Sequence, residues 1–585
     1  MRATHLPPGA ARRFVALALL GGAAAAAGAA SGDGRIKLDQ IGFLPGSDKV
    51  AVVPNVDGAG FAIVKAGSDT VVLRGTLGAP AVYAPSAETV RLAGFSELVA
   101  PGRYQLRVPG LPDSAPFTVG ADAYQALNAA AIKAYYLNRA GIALPEKYAG
   151  VYARKAGHPD TNVLVHESAA SPARPAGTVL SSPKGWYDAG DYNKYIVNSG
   201  ITTYTLLASF EDFAAFHQAQ NLNIPESGNG VPDILNEALW NLEWMLTMQD
   251  PADGGVYHKL TDKSFDGMVM PDQAVQQRYV VQKTTAAALD FAAVMATASR
   301  VLKPYDGQLH GMSAKMLAAS KAAWQWAQSH PAVYYRQPQD IRTGEYGDAD
   351  VSDEFAWAAA ELYISTGDDA FYKAMKAPSV PATVPSWSDV RGLAWMSLAR
   401  HRKQLSPAAD QALIAARIDG LAGDLAKVWK QSAYGVTMQT ADYVWGSSAV
   451  ALNQAMMLVQ GYRLNGKPEY LRAAQSGLDY VLGRNAVDTS FVTGYGVKSA
   501  LHPHHRPSVA DGIAAPVPGF LVGGPQPGQQ DKGDCRASYP SPLPAKSWLD
   551  DACSYASNEI AINWNAPLVY VSAAIQALTP PVPAK

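Results

Sequence analysis

Short apolar segments separated by turn-forming residues occupy the chain from Ile36 to Val119. Within these segments apolar and polar positions alternate or β-branched residues cluster, and Pro, Gly, Asp and Ser interrupt them. This alternation is the period of a β-strand with one buried face. Roughly six or seven strands in so short a stretch predict a small β-sandwich over residues 34–120. Because the stretch has no recognisable acid–base cluster, it is interpreted as a structural module.

The period changes at Val119-Gly120, after which apolar residues recur at helical spacing. The clearest helix is predicted over 233–248, where the apolar residues share one face. Further helices are predicted over 124–141, 284–302, 316–327, 353–364, 390–400, 413–429, 447–462, 470–482 and 560–578. Roughly a dozen helices would fit six hairpins closed into a ring or, alternatively, a layered bundle. This helical domain is predicted over residues 121–580.

Residues 1–30 have the organisation of a cleavable secretory signal. Arg2, Arg12 and Arg13 precede the apolar run Phe14–Leu20, and a stretch rich in Ala and Gly follows. The apolar run is too short to span a bilayer, and this order of residues is typical of export signals. We therefore expect a secreted or periplasmic protein, and the paired arginines leave the twin-arginine route open.

Composition narrows the possible partners. The 585-residue chain has 48 basic and 50 acidic residues and a formal charge of −2, which gives no electrostatic signature for nucleic acid or an anionic membrane. Its 28 Tyr and 12 Trp suit either a large core or a cleft that stacks on sugars. Cys535 and Cys553 are expected to form a disulfide in an oxidising compartment, the alternative being two buried thiols.

Carboxylates stand beside aromatic and amide residues at two distant places in the chain. Asp188 and Asp191 lie three residues apart with Gly190 between them, so a tight turn can point both the same way. Taken alone, this pair is more typical of a solvated Asp-Gly turn. Glu559 precedes the apolar stretch 566–578, where a lone carboxylate is costly without a task or a partner. A pair that activates water and a distant acid would suit glycoside hydrolysis.

A long loop over residues 485–549 contains a cluster of basic and imidazole side chains. Its members are His502, His504, His505 and Arg506. They can donate hydrogen bonds to sugar hydroxyls and offset the charge of a neighbouring carboxylate. A metal site is the less favoured interpretation, because no cysteine or second histidine pair with zinc spacing accompanies them.

At these motifs the chain resembles glycoside hydrolase family 9, the cellulases with an (α/α)6 barrel. Residues 490–506 and 548–566 fit two family signatures, and residues 188–191 match its Asp-Ala-Gly-Asp turn. Residues 36–43 resemble the immunoglobulin-like module that precedes the catalytic domain in one branch of the family. The resemblance covers nearly the whole mature chain. It implies a mainly α fold, in which an (α/α)6 barrel follows a small immunoglobulin-like β-sandwich.

The resemblance also implies roles for individual residues. Asp191 would be the general base, Asp188 would help to hold the attacking water, and Glu559 would be the general acid of an inverting reaction. For inversion, the opposed carboxyls are expected about 6.5–9.5 Å apart, and Glu559 is expected to have a raised pKa. Asp550 would support the site from behind. The expected sugar contacts are His504, Arg506, Tyr555, Trp186 and Tyr495.

The two metal sites of the family lead to opposite expectations. Asp353, Glu354 and Asp389 resemble its calcium site, although acidic residues at a helix N-terminus explain them equally well. The family's zinc site would fall near His158 and His166, but no cysteine lies there, so zinc is expected to be absent. No organic cofactor is expected.

The expected function is endo-hydrolysis of β-1,4-glucosidic bonds in cellulose or related β-glucans by a monomeric enzyme. The alternative among enzymes is an exo-acting cellodextrinase or β-glucosidase, because the loop over 485–549 could close one end of a cleft. The alternative from another class is a glycan-binding protein that lacks catalysis. Against it, a pure binder has no use for an opposed acid and base.

Overall fold

The computed structural model describes residues 34–582, so the expected signal over residues 1–30 lies outside the described part. Two sheets form the N-terminal domain. Their strands are β1 (Gly42–Phe43), β2 (Val50–Pro54), β3 (Gly60–Lys65), β4 (Val71–Thr76), β5 (Ala81–Tyr83), β6 (Glu88–Gly94), β7 (Gly102–Arg107) and β8 (Phe117–Val119). One sheet has the order β1-β8-β7-β3-β4 and the other β2-β6-β5. Strands β1 and β8 are parallel, and the other pairs are antiparallel.

The sandwich forms because alternate residues of its strands face a shared core. In β7, Tyr104 and Leu106 are buried, whereas the flanking arginines are not. Phe43, Phe95 and Phe117 pack around one another with ring centroids 5.3–5.6 Å apart. The small β-sandwich predicted from alternation is confirmed.

Helices dominate from residue 125 onward. In chain order they are α1 (Gln125–Leu137), α2 (Glu146–Ala149), α3 (Ile196–Asp212), α4 (Ala214–Gln218), α5 (Asp233–Thr247), α6 (Thr285–Leu302), α7 (Asp306–Leu309), α8 (Met312–Ser329), α9 (Ser352–Thr366), α10 (Asp369–Met375), α11 (Arg391–His401), α12 (Gln411–Gln431), α13 (Ser447–Asn465), α14 (Pro468–Val481), α15 (Arg506–Ala510), α16 (Tyr555–Asn558) and α17 (Ile562–Leu578). Each helix predicted from apolar spacing is present, with ends shifted by a few residues.

The long helices close into a double ring. Helices α3, α6, α9, α11, α13 and α17 each contact the next one, and α17 returns to α3. Outside this inner ring, α1, α5, α8, α10, α12 and α14 pack on it. Inner helices such as α6, which is rich in alanine, are buried on nearly all sides, because other helices surround them. Thr285–Leu309 is long and apolar enough to cross a bilayer, but 94% of its most apolar window is buried inside the protein. The closed ring excludes the layered bundle.

A second small sheet lies within the helical domain, where the sequence pattern predicted loops. Its strands are β9 (Val163–Val165), β10 (Val179–Leu180), β11 (Lys194–Tyr195), β12 (Lys259–Thr261) and β13 (Tyr279–Val280), in the order β10-β9-β13-β12-β11. Its strands are two or three residues long and come from connections far apart in the chain. That is too short for an alternating pattern to show in the sequence.

The sandwich is joined to the barrel by buried polar contacts. The ammonium of Lys37 donates to Glu88 Oε1 at 2.8 Å and to Tyr434 OH at 3.1 Å, and Tyr434 OH donates to Glu88 Oε2. Tyr124, next to the start of α1, donates to Asp39 of the sandwich. Because these groups are buried and paired across the interface, the sandwich is part of the same packed body as the barrel.

Candidate active site

Asp188 is buried in the turn that precedes β11. Asn198 Nδ2 donates to its Oδ1 and Tyr346 OH to its Oδ2, both at 2.7 Å. Burial, and next the negative charge of Asp191, raise the pKa of Asp188 to about 8, and the two donors only partly oppose this. Two adjacent buried carboxylates repel each other. The pair is therefore stabilised when Asp188 keeps a proton near neutral pH.

Asp191 is held differently, at one oxygen only. Asn193 Nδ2 and Tyr195 OH both donate to Asp191 Oδ2. Asn193 is in turn fixed by Thr261 Oγ1 and by the backbone N–H of Asp262, which both donate to its side-chain oxygen. Among residues 34–582, no protein group donates to Asp191 Oδ1, and Asp191 lines the main cleft. One carboxylate oxygen is thus oriented by the protein and the other is available to a water.

Glu559 follows α16 and faces the same cleft. Its backbone pairs with His504, and its carbonyl accepts from Gly523 N. The backbone N–H of Gly190 donates to Glu559 Oε1 at 3.3 Å, while Oε2 accepts no bond from the described residues. Desolvation, and next the charge of Asp191, raise the pKa of Glu559 well above its usual value of 4.5, despite that bond and nearby Arg506. The direction of this shift agrees with the expectation from sequence.

Gly190 is the point where the two carboxyl-bearing segments meet. Its N–H donates to Glu559, and its carbonyl accepts from Arg506 Nη1 at 2.6 Å. A Cβ atom on Gly190 would lie 2.3 Å from the carbonyl oxygen of His504, which is closer than atoms can approach. Only glycine fits between the turn at 188–191 and the segment before α15.

His504, Arg506 and Tyr555, which are expected to contact the sugar, line the cleft. His504 Nδ1 is 2.6 Å from the carbonyl of Ala552, so the ring donates there and leaves Nε2 toward the cleft. Burial lowers the pKa of His504, so the ring is neutral. Arg506 also donates from Nε and Nη2 to the carbonyl of Asp266.

Asp550 lies behind this group as a support. Its carboxylate accepts from the backbone N–H groups of Leu501 and His502 and from Asn558 Nδ2. Asp550 therefore ties the segment leading to His504 to the residue that precedes Glu559.

The predicted bridge between Cys535 and Cys553 is confirmed, with Cα atoms 5.3 Å apart, and it holds the loop before Trp548 next to Tyr555.

Two expected sugar contacts are wrong. Trp186 is fully buried, because its indole packs against Tyr135 and donates to Glu237 Oε1 at 2.9 Å. Tyr495 packs against α1, where its hydroxyl donates to the carbonyl of Ala126, and it does not line the cleft. Both residues adjoin site motifs in the sequence, but the backbone turns Trp186 into the core and places the partly buried Tyr495 against α1.

The cleft has a volume of about 910 Å³ and is walled by aromatic residues from helices, a strand and several connections. These are Tyr195, Phe265, Tyr346, Trp387, Trp445, Tyr555 and Trp564. Trp445 stacks obliquely on Tyr555 at 5.6 Å, and about half of the Phe265 side chain is exposed. Sequence reasoning missed most of them, because Tyr346, Trp387 and Trp445 lie in loops without a motif. Asn193 and Tyr195 directly follow the Asp-Ala-Gly-Asp turn, and that adjacency was a usable signal.

Comparison with known proteins places this site in a family. Residues 124–572 match glycosyl hydrolase family 9, and residues 31–113 match the cellulase N-terminal Ig-like domain. The chain belongs to glycosyl hydrolase family 9. It is a glycoside hydrolase with an (α/α)6 barrel behind an immunoglobulin-like domain.

Relatives of this family 9 hydrolase cover nearly its whole length. A xyloglucan-specific endo-β-1,4-glucanase of Bacteroides ovatus is 44% identical over 93% of this chain and 94% of its own. Endoglucanase D of Acetivibrio thermocellus is 33% identical over 92% of this chain and 83% of its own. The solved structure of a Bacteroides ovatus family 9 protein superposes with a TM-score of 0.87 at 42% identity, covering 93% of this chain and 99% of the other.

The acidic residues expected to bind calcium in this family 9 hydrolase are only partly suited to it. Asp353 Oδ2 accepts from Val390 N, and both carboxylate oxygens of Glu354 are buried without a hydrogen-bond partner. Both carboxylate oxygens of Asp290 in α6 are also buried without a hydrogen-bond partner, and the negative charge of Asp290 helps to raise the pKa of Glu354. Asp389 instead accepts from Arg391 and Thr383. Unpartnered buried carboxylate oxygens suit a hard cation, so Asp290 fits such a site better than Asp389.

The two histidines near the expected zinc site have separate partners. His158 Nδ1 lies 2.9 Å from Tyr187 OH, whereas His166 Nε2 lies 3.2 Å from a carboxylate oxygen of Asp340. Asp262 and Asp266 offer oxygens within 4.8 Å of His158, but Arg278 lies beside Asp262 and Asp160. These side chains do not fit a structural zinc site with four nitrogen or sulfur ligands.

Proposed function

We propose that this family 9 hydrolase cleaves internal β-1,4-glucosidic bonds with inversion, using Asp191 as general base and Glu559 as general acid. One observation carries the assignment. Asp191 is the carboxylate whose Oδ2 is fixed by two donors while its Oδ1 is left for a water, and Glu559 faces the same cleft in a desolvated position. An oriented carboxylate with a free oxygen can accept a proton, as a general base must. A desolvated carboxyl with a raised pKa can donate one, as a general acid must.

On the base side, Asp191 Oδ1 takes a proton from the attacking water. Asn193 and Tyr195 hold the carboxylate by Oδ2, so its free lone pairs point in a fixed direction. Asp188, with a pKa of about 8, is mainly protonated near neutrality and does not add a second negative charge. A neutral Asp188 can also hydrogen-bond the same water.

On the acid side, Glu559 gives its proton to the departing glucosidic oxygen. Its raised pKa keeps the carboxyl protonated at pH values where ordinary glutamates are ionised. His504 and Arg506 line the cleft beside it and supply donors to sugar hydroxyls. The separation of about 6.5–9.5 Å between the opposed carboxyls remains a prediction that follows from inversion.

The substrate we propose is a β-1,4-glucan chain. The exposed aromatic faces of Phe265 and Trp445 suit pyranose rings. A cleft of about 910 Å³ lies near the upper end of the size range for small-molecule sites. The Bacteroides ovatus relative is specific for xyloglucan, a branched β-1,4-glucan. Xyloglucan is therefore the first substrate to compare with unbranched β-1,4-glucans.

A product time course tests this function. The purified protein should lower the viscosity of xyloglucan or carboxymethylcellulose well before reducing sugar accumulates, and NMR of the first products should show the α-anomer. An Asp191→Asn variant should lose about 10²-fold or more in kcat. Immediate release of glucose or cellobiose without loss of viscosity would contradict endo action, and first products in the β-configuration would contradict inversion.

We further propose that calcium binds at Asp290, Asp353 and Glu354. When bound, the ion would offset the negative charge that these carboxylates bury between α6 and α9.

We also propose that the protein is exported from the cytoplasm and is monomeric. The first is supported by the residue order of positions 1–30.

A further inference from the structure

A fully buried lysine lies behind the base. Lys259 in β12 is 0% exposed and stands directly opposite Tyr195 of β11 in the sheet register. Its ammonium donates to the carbonyl of Gly344 at 2.6 Å, to Thr343 Oγ1 at 3.0 Å and to Gln337 Oε1 at 3.1 Å. Within residues 34–582 it forms no direct ion pair. A buried ammonium with only neutral partners is costly, so its retention calls for an explanation.

The contacts of Lys259 lead to both carboxylates of the turn. Its ammonium lies 5.6 Å from the centre of the Tyr195 ring. The hydroxyl of Tyr195 accepts from Gly344 N at 3.1 Å and donates to Asp191 Oδ2 at 3.2 Å. Two residues beyond Gly344, Tyr346 donates to Asp188. Lys259 thus binds the segment that supports Asp188 and the ring that supports Asp191.

The charged and titratable groups around Lys259 determine at which pH its ammonium is charged and which carboxylates that charge can stabilise. Asp191 and Glu345 are the carboxylates that act on it, and the rings of Tyr195 and Tyr335 face it. Neighbouring His258, stacked on Tyr335, is neutral because burial lowers its pKa to about 3. Burial lowers the pKa of Lys259 to about 7, against the opposing effect of Asp191 and Glu345. In the acid range, where a base loses its function by protonation, Lys259 carries its full charge.

We propose that Lys259 is a positioning residue whose buried ammonium, behind Tyr195, stabilises the ionised form of Asp191 and sets the acid limit of hydrolysis. The inference rests on the proposed role of Asp191 as base. Lys259 does not line the cleft and acts through Tyr195, Gly344 and the electric field across the sheet. An opposite charge near a carboxylate favours the carboxylate form.

The pH profile of kcat/KM separates this role from a structural one. In Lys259→Met the acid limb should move upward by about one pH unit, because the nearby positive charge is lost. Lys259→Arg keeps the charge and should leave the limb near the wild-type position. Thr343→Val removes one acceptor of Lys259 but no charge, so it should lower activity without moving the limb. Lys321→Met, at an exposed position of α8, should change neither quantity.

A titration without substrate makes the test independent of the proposed function. The wild type and Asp191→Asn differ in proton uptake by the proton of Asp191 and by the effect of its charge on Asp188 and Glu559. This difference should move to higher pH in the Lys259→Met background, because the nearby positive charge is lost. If the protein does not hydrolyse β-glucans, this titration still decides the electrostatic role. If Lys259→Met does not fold, Lys259→Gln replaces it. An acid limb or a difference titration that is the same in Lys259→Met as in the wild-type background would overturn the proposal.

Discussion

At the scale of single residues, the site depends on how each carboxyl is solvated and bonded. Asp188 has a donor on each oxygen, Asp191 has two donors on one oxygen, and Glu559 accepts one backbone N–H. Burial raises the pKa of Asp188 and Glu559. The same functional group, a carboxyl, thereby provides a neutral neighbour, a candidate base and a candidate acid within one cleft.

Glu559→Gln should remove activity without destabilising the fold. The acid contributes roughly 10²–10⁴-fold to catalysis, so kcat should fall by about that factor. Because the folded-state pKa of Glu559 is raised, the folded protein binds an extra proton above pH 4.5, and wild-type stability falls as pH increases. Glutamine cannot ionise, so the Tm of the variant relative to wild type, measured by calorimetry, should increase as the pH rises above 4.5.

Glu97→Gln is the matched control for this prediction. Glu97 is exposed on the sandwich, far along the chain from the cleft, and both kcat and the pH dependence of Tm should match wild type. Near-normal hydrolysis of β-glucan by Glu559→Gln would refute the assignment of the acid.

At the scale of elements, the turn over residues 188–191 is held in place by a sheet of very short strands. Strand β12 pairs with β11 after the turn, and Thr261 at its end holds Asn193, which holds Asp191. On the opposite side, Gly190 bonds Glu559 and Arg506. The turn is therefore a rigid bridge between the two walls of the cleft.

Gly190→Ala should disconnect the two walls. The added methyl group would meet the His504 carbonyl oxygen at 2.3 Å, so either the turn or the segment before α15 must move. We expect a loss of about 1–3 kcal/mol in the free energy of unfolding from overpacking. A shift of about 1 Å in a catalytic group can cost about 10²-fold in kcat. Denaturant unfolding and hydrolysis assays measure the two effects.

Gly420→Ala provides the comparison. Gly420 lies inside α12 with nothing within 4 Å of an added Cβ atom, so alanine should stabilise the protein slightly and leave kcat unchanged. If Gly190→Ala retained wild-type stability and activity, the close approach at His504 would not constrain the turn.

At the scale of the whole molecule, six inner helices form the ring and their loops carry the site. Two ring helices, α6 and α9, meet at a group of buried carboxylates: Asp290 on α6, and Asp353 and Glu354 on α9. Asp353 also accepts a hydrogen bond from the backbone N–H of Val390, directly before α11. Charge buried at this junction opposes ring closure unless protons or a cation neutralise it.

Calcium should therefore stabilise the closed ring. Addition of EDTA should lower Tm by several degrees, and excess calcium should restore it, because a ligand bound only to the folded state adds to stability. Glu354→Gln and Asp290→Asn should lose this response, whereas Asp389→Asn should retain it, since Asp389 is engaged by Arg391. A Tm that EDTA leaves unchanged, together with no calcium in elemental analysis, would contradict the site.

The sequence by itself determined the elements and much of the chemistry. Alternation and helical spacing are local consequences of burial, so the sandwich, the long helices and the motifs with Asp188, Asp191 and Glu559 could be read from them. Only the tertiary structure decided ring closure, the burial of Trp186, the packing of Tyr495 against α1, and the approach of Tyr346 and Lys259 to the turn that carries Asp188 and Asp191. These features depend on contacts between residues far apart in the chain. A one-dimensional pattern records that a side chain is apolar or charged, but not which distant group it meets.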